Sequence, residues 1–110
     1  MTATLLRFYV HENRKHRHRL LYEWLLEEAR KLGVPGGSAF RSIAGYGRHG
    51  VLHEEHFFEL AGDLPVVIEF AVSDAQADAL FALFARESID ILFVRMPIEI
   101  GRIAGGARDA

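Results

Sequence analysis

Cysteine is absent from the 110-residue sequence. Without it the chain can form no disulfide bond, thiolate nucleophile or cysteine-based zinc site, which fits a reducing compartment. Long hydrophobic runs are also missing, since the longest, LPVVIEFAV, is interrupted by Glu69 and falls far short of the roughly 20 residues of a membrane helix. The apolar run near the N-terminus is too brief for a signal-peptide core. We therefore expect a cytoplasmic protein without direct membrane insertion.

An excess of charge of one sign is missing as well. The chain has 13 Lys and Arg residues against 15 Asp and Glu residues, so no overall field draws it to nucleic acid. It contains no Gly-x-Ser-x-Gly turn, no Walker loop and no compelling carboxylate pair. We expect a protein that binds no nucleic acid and is not an enzyme, and a small enzyme is kept as an alternative.

What the sequence does have is the composition of one globular domain, with 50% hydrophobic and 25% charged residues. Apolar alternation predicts a strand in TLLRFYV, flanking glycines delimit one in SAFRSIA, and dense β-branched residues predict one in LPVVIEFAV. A last strand is predicted in IDILFVRMPIEI, ended or bent by Pro97. It predicts a helix from Leu20 to Leu32, and Ser73 with Gln76 forms a capping box before a second helix. We assign residues 1–110 to a single domain with a loose tail at about 101–110.

The predicted element order is βαββαβ, which a chain of this length most economically folds as a ferredoxin-like α+β domain. That fold has a four-stranded antiparallel sheet with two helices on one face. However, VVIEFAV and DILFVRM place apolar side chains on both faces of their strands. The uncovered face needs a partner, and closed symmetric association is the usual way to hide it.

Four sequence pieces carry a family resemblance: LLYE, GSAFRSIAGYG, LH and LAGDLPVVIE, within about residues 6–69. They resemble domain-of-unknown-function family 190, a branch of the PII-like superfamily of trimeric regulators. The resemblance implies a PII-like homotrimer with a ligand-sensing, regulatory role in the setting of ion transport, such as fluoride export. It also implies a loop-entrance motif at Gly45, Tyr46 and Gly47. The segment ARESIDILF lacks the glycine-rich sequence with which true PII proteins grip ATP, so we expect no ATP binding by that route.

The connection from Gly45 to Asp63 is longer than usual for a small domain, and such loops are commonly functional or disordered. Its glycines permit hinge motion, and it carries Arg48 and three histidines. We interpret it as an effector arm that signals to a protein partner, for which a membrane transporter is one candidate. A hairpin without function is the alternative.

The loop histidines suggest a metal hypothesis. His49, His53 and His56 could converge on a divalent ion with Glu54 or Glu55. Their spacing is not that of helical HExxH, and no second cluster completes a tetrahedral set, so surface histidines are favoured unless a trimer supplies further ligands. We assign no metal and leave any cofactor open, and a metal-responsive or purely structural interaction protein is the alternative function.

The run HENRKHRHR at residues 11–19 is the strongest local concentration of positive charge. It precedes a predicted helix, and helix N-termini favour anions. Arg17 and Arg19 are therefore candidates for attracting a phosphate-like group. The alternative is a solvated run whose charge compensates for Glu23, Glu27 and Glu28.

Arg41 alternates with Phe40 in its strand, so its side chain points to the opposite face, near where a subunit cleft would run in a PII-like trimer. Arginine suits bidentate contacts to carboxylate or phosphate. An inter-subunit salt bridge, to Glu69 for example, is an equal alternative. We predict that Arg41 acts with the two basic-run arginines on one small anionic ligand, with nucleotides as candidates. The ligand-binding candidates are Arg41, Gly45, Tyr46, Gly47, Arg17, Arg19 and His53.

Overall fold

The computed structural model describes residues 2–46, 52–53 and 65–105. In chain order their elements are β1 (Thr2–His11), β2 (Lys15–His16), β3 (Arg19–Leu20), α1 (Leu21–Lys31), β4 (Gly37–Arg41), β5 (Gly45–Tyr46), β6 (Leu52–His53), β7 (Pro65–Val72), α2 (Asp74–Arg86) and β8 (Leu92–Glu99). Four of the strands form one antiparallel sheet in the order β4-β7-β1-β8. With both helices on one face, this is the predicted ferredoxin-like α+β fold.

The core lies between the sheet and the helices, as strand periodicity requires. Alternate residues of β1 and β7 are buried beneath the helices, for example Leu6, Phe8, Ile68 and Phe70. Phe8 sits at the centre of this layer, with its ring 5.2 Å from that of Phe84 in an edge-to-face arrangement. One continuous apolar cluster therefore joins both helices to the sheet.

Both predicted helices are present. On α1, Leu21, Trp24, Leu25 and Ala29 are buried as predicted, whereas Leu32, the last residue predicted for this stripe, lies just beyond the helix and is exposed. The capping box of α2 forms as expected. The Ser73 hydroxyl accepts a hydrogen bond from the Gln76 backbone N–H at 3.1 Å, and the Gln76 side-chain oxygen accepts one from the Ser73 N–H at 3.0 Å. Neither helix of the described chain has the length and apolarity that crossing a membrane requires.

One predicted strand limit was wrong, and one open alternative is decided. The second long strand does not reach residue 44, because β4 ends at Arg41. The Ser42 N–H still donates to the Pro65 carbonyl at 2.8 Å, but Pro65 is the first residue of β7 and has no N–H with which to continue the ladder. Pro97 does not end β8, which continues to Glu99. A proline is tolerated there because β8 is an edge strand and needs a hydrogen-bonded neighbour on one side only.

The basic run contains a small hairpin that the sequence pattern did not reveal. Strands β2 and β3 pair with His16 opposite Arg19, so the turn has two residues, Arg17 and His18, with φ of 53° and 66°. Two-residue hairpin turns with positive φ usually contain Asn-Gly or similar pairs. Because Arg and His are unusual there, the turn could not be recognised from composition.

The sheet face opposite the helices has no covering element in the described part of the chain. We call it the open face. At its rim, Phe40 on β4 and Leu92 on β8 are 54% and 63% exposed. The open face confirms the expectation that β7 and β8 carry apolar side chains on both faces of the sheet. By register its members are Ala3, Leu5, Arg7, Tyr9, His11, Ser38, Phe40, Pro65, Val67, Glu69, Ala71, Leu92, Val94, Met96 and Ile98.

Candidate functional site

Arg41 stands at the end of β4, four residues before the short ladder strand β5. It pairs in register with the buried Val66, so it faces the helix side of the sheet, opposite to Phe40 as predicted. Its side chain is 60% exposed, and Nη2 donates to Glu12 Oε2 at 2.5 Å. This bond occupies one of five guanidinium N–H donors. Arg41 can therefore still contact an anion from solvent.

The inter-subunit salt bridge from Arg41 to Glu69 stays a prediction, because the structure contains one chain. Glu69 belongs to the open face, on the other side of the sheet, where Arg7 Nε donates to its Oε2 at 2.7 Å. Its carboxylate is thus already paired. The intramolecular partner of Arg41 is Glu12, at the start of the basic run.

Arg17 is held by the carboxylate of Glu87, the residue that directly follows α2. Its Nε and Nη2 donate to the two carboxylate oxygens of Glu87 at 2.8 and 3.0 Å. His16 Nε2 lies 2.9 Å from the same carboxylate, and its ring packs edge-on against Trp24. The bond from Arg17, followed by that from His16, lowers the pKa of Glu87. The cluster fastens the hairpin to the end of α2 and uses both the Nε and Nη2 donors of Arg17.

Arg19 lies beside an open pocket of about 430 Å³ between α1 and the start of β4. The pocket has an apolar floor that includes Phe70, and Glu23 and Glu27 stand in its wall with Arg19. Among the described residues, Arg17 forms a salt bridge with Glu87, and Arg41 forms one with Glu12. The three candidate arginines thus have three different local environments, and within the described part of the chain no shared binding partner joins them.

The loop candidates are described in part. The backbones of Gly45 and Tyr46 pair with those of His53 and Leu52, respectively, so the loop begins as a two-stranded ladder that brings Gly45 and His53 together. Among the described residues there is no group of three or more metal-binding side chains. The remaining candidates lie outside the described residues, namely Gly47, His49 and His56.

Sequence reasoning missed the acidic partners of these arginines. Glu12 is 29 residues from Arg41, and Glu87 is 70 residues from Arg17. One signal was available for Glu12, because it is the acidic residue within an otherwise basic run. The sequence signal for Glu87 was weaker: a carboxylate at a helix C-terminus is unfavourable unless a cation compensates its charge.

The family model DUF190, described as an uncharacterized ACR, matches residues 3–100 of the chain. A UPF0166 protein of Aquifex aeolicus (strain VF5) is 38% identical over 65 residues, which are 59% of this chain and 62% of that protein. The chain thus matches less than two thirds of the length of this relative.

Two solved structures of CPII from Thiomonas intermedia K12 are similar in fold. The structure bound to ADP and bicarbonate has a TM-score of 0.67 at 22% identity, covering 93% of this chain and 91% of CPII. A second, described as a nitrogen regulatory PII-like protein bound to ADP, AMP and bicarbonate, has a TM-score of 0.65 at 18% identity and covers 94% and 98%. At these identities the likeness establishes a PII-like fold.

Proposed function

Because the chain belongs to the DUF190 family and has the fold of PII-like proteins, we propose that it is a cytoplasmic homotrimeric regulator. It senses a small anionic ligand, an adenine nucleotide being the first candidate, at clefts between subunits. It signals through the loop of residues 45–63 to a protein partner, for which an ion transporter is the candidate.

The observation that carries this proposal is the fold agreement with CPII over 93% of the chain, because the compared CPII structure contains ADP and bicarbonate. CPII is described as a nitrogen regulatory PII-like protein. Two features of the chain support the same role. Its sheet leaves an apolar open face for association, and an exposed guanidinium stands near the base of the long loop.

Arg41 is the residue we propose to contact the ligand. It is exposed, it lies near the start of the loop, and Glu12 takes one of its donors. An incoming phosphate or carboxylate would share the guanidinium with Glu12 or displace it. Glu12 therefore competes with the ligand, whereas Arg17 and Arg19 contribute to the surrounding field. Loss of Arg41 should weaken binding, and loss of the Glu12 charge should strengthen it.

The test is calorimetric titration with ADP, AMP and bicarbonate separately. For whichever ligand binds the wild type, Arg41→Ala should reduce affinity by about 1.5 to 3 kcal/mol, the range for a hydrogen bond to a charged group. Glu12→Gln should raise it. Lys31→Ala is the charge-matched control, because Lys31 is an exposed cation paired on α1 with Glu28. Sedimentation should show that Arg41→Ala remains a trimer.

Two results would contradict the proposal. If none of the three ligands binds at millimolar concentration, the nucleotide role fails. If Arg41→Ala dissociates the trimer and leaves affinity intact, Arg41 is an interface residue and not a ligand contact. The metal alternative is tested by the same titrations with divalent ions alone. A metal-responsive protein should bind these ions, and addition of a chelator should abolish the binding.

A further inference from the structure

The centre of the open face is charged, although its surroundings are apolar. Arg7 on β1 and Glu69 on β7 are directly opposite each other in the ladder, and Arg7 Nε donates to Glu69 Oε2 at 2.7 Å. Val94 and Ser38 are their neighbours in the same row. The rows on either side are formed by Leu5, Ala71 and Met96, and by Tyr9, Val67, Leu92 and Phe40.

This pair is partly withdrawn from solvent in a single chain, with side-chain exposures of 32% for Arg7 and 29% for Glu69. A bond to Glu69, and then one to Tyr9, raises the pKa of Arg7. A covering layer would therefore enclose two charges that already satisfy each other. If one charge were removed, the other would be enclosed without a counter-ion, which is strongly unfavourable.

The charge balance of the open face also indicates what covers it. Among the described strand residues of this face, Arg7 and Glu69 are one cation and one anion bonded to each other, and His11 at its edge is a further titratable residue. A strongly charged partner would find no complementary excess there. By contrast, copies of the same neutral, apolar face meet without like-charge repulsion, which closed symmetric assembly requires of a repeated patch. A second copy of this chain is thus the occupant that fits.

We infer that the Arg7–Glu69 pair is the specificity determinant of the subunit interface. This inference rests on the trimer of the proposed function. The pair fixes the register and the number of copies in which open faces meet. Apolar surfaces alone associate in several registers, and a polar group within an apolar interface is a well-attested way to select one of them. In a closed trimer each substitution is present three times, so an unpaired charge is also tripled.

The experiment is sedimentation equilibrium over a dilution series, with circular dichroism to verify folding. Glu69→Gln and Arg7→Met should each raise the trimer dissociation constant by about 100-fold or more. The swapped double variant Arg7→Glu with Glu69→Arg should restore it to near the wild-type value. Glu27→Gln is the control, because it breaks the pair with Arg30 on the surface of α1 and should leave association unchanged.

A fully apolar variant tests specificity separately from strength. Arg7→Leu with Glu69→Leu should still associate, because no charge is left unpaired, but should give a mixture of masses. A single trimeric species from this variant would overturn the inference, and so would single variants that dissociate no more readily than wild type. A wild-type chain that is monomeric at micromolar concentration would instead overturn the proposed trimer itself.

Discussion

The two faces of the sheet are built from the same alternating strands, yet they differ in what holds them. On the helix side, aromatic and aliphatic groups interlock around Phe8, which is fully buried. On the open face, apolar groups of similar size surround one ion pair, and Phe40 is 54% exposed. Strand periodicity therefore specifies which residues share a face, whereas the number of helices decides which face is covered within one chain.

The largest expected difference between the faces is in unfolding free energy. Phe8→Ala should cost about 3 to 5 kcal/mol, because it leaves a cavity among fixed neighbours. Phe40→Ala should cost about 0.5 kcal/mol or less when the chain is dilute enough to dissociate. Denaturant titration measures both, and Phe8→Leu is the milder variant if Phe8→Ala does not fold. Equal losses at the two positions would show that the open face is also packed in the single chain.

A smaller difference is expected between two adjacent glycines where β4 meets the helix side. A Cβ at Gly37 would lie against the ring of Phe70, whereas a Cβ at Gly36 would meet nothing within 4 Å. Gly37→Ala should destabilise the fold by about 1 to 3 kcal/mol through overpacking, and Gly36→Ala should be close to neutral. Thermal unfolding of the two variants compares them, and a neutral Gly37→Ala would show that Phe70 can move aside.

The smallest expected effect concerns Glu87, whose contacts with Arg17 and His16 attach the β2–β3 hairpin to the end of α2. Because the pKa of Glu87 is lowered in the folded chain, its stabilising contribution is present above the ordinary glutamate pKa of about 4.3. It is lost as pH falls through the lower folded value. Glu87→Gln should flatten the loss of thermal stability between about pH 5 and 2. It should not abolish that loss, because the pKa of Asp74 is lowered too.

The control for this acid titration is Glu99→Gln, because Glu99 is exposed at the end of β8. Its acid profile should follow that of the wild type. If Glu87→Gln also follows the wild type, the contacts to Arg17 and His16 make no net contribution to folding.

Local patterns were sufficient for most of the fold. The spacing of apolar residues predicted α1, the β-branched residues of LPVVIEFAV predicted β7, and Ser73 with Gln76 marked the start of α2. The hairpin at residues 15–20 was missed because Arg17 and His18 adopt positive φ without the usual turn residues. The effect of Pro97 could not be decided from the sequence, because whether a strand lies at an edge is a property of the assembled sheet.

The candidate site was less predictable, for the same physical reason. Alternation along β4 correctly placed Arg41 opposite Phe40. Its partner Glu12, and the partner of Arg17, depend on contacts between distant segments that no local spacing encodes. Periodicity thus gives the direction of a side chain, and tertiary structure decides what it meets.

The single tryptophan of the chain, Trp24, lies where the hairpin meets both helices. Its ring is 4.6 Å from that of His16 and 6.5 Å from that of Phe84. Its indole is therefore an intrinsic fluorophore at the hairpin, on the helix side and away from the open face. Emission from this one chromophore should report a change in the hairpin without interference from other tryptophans, and the unlabelled protein can be followed optically while ligand is added.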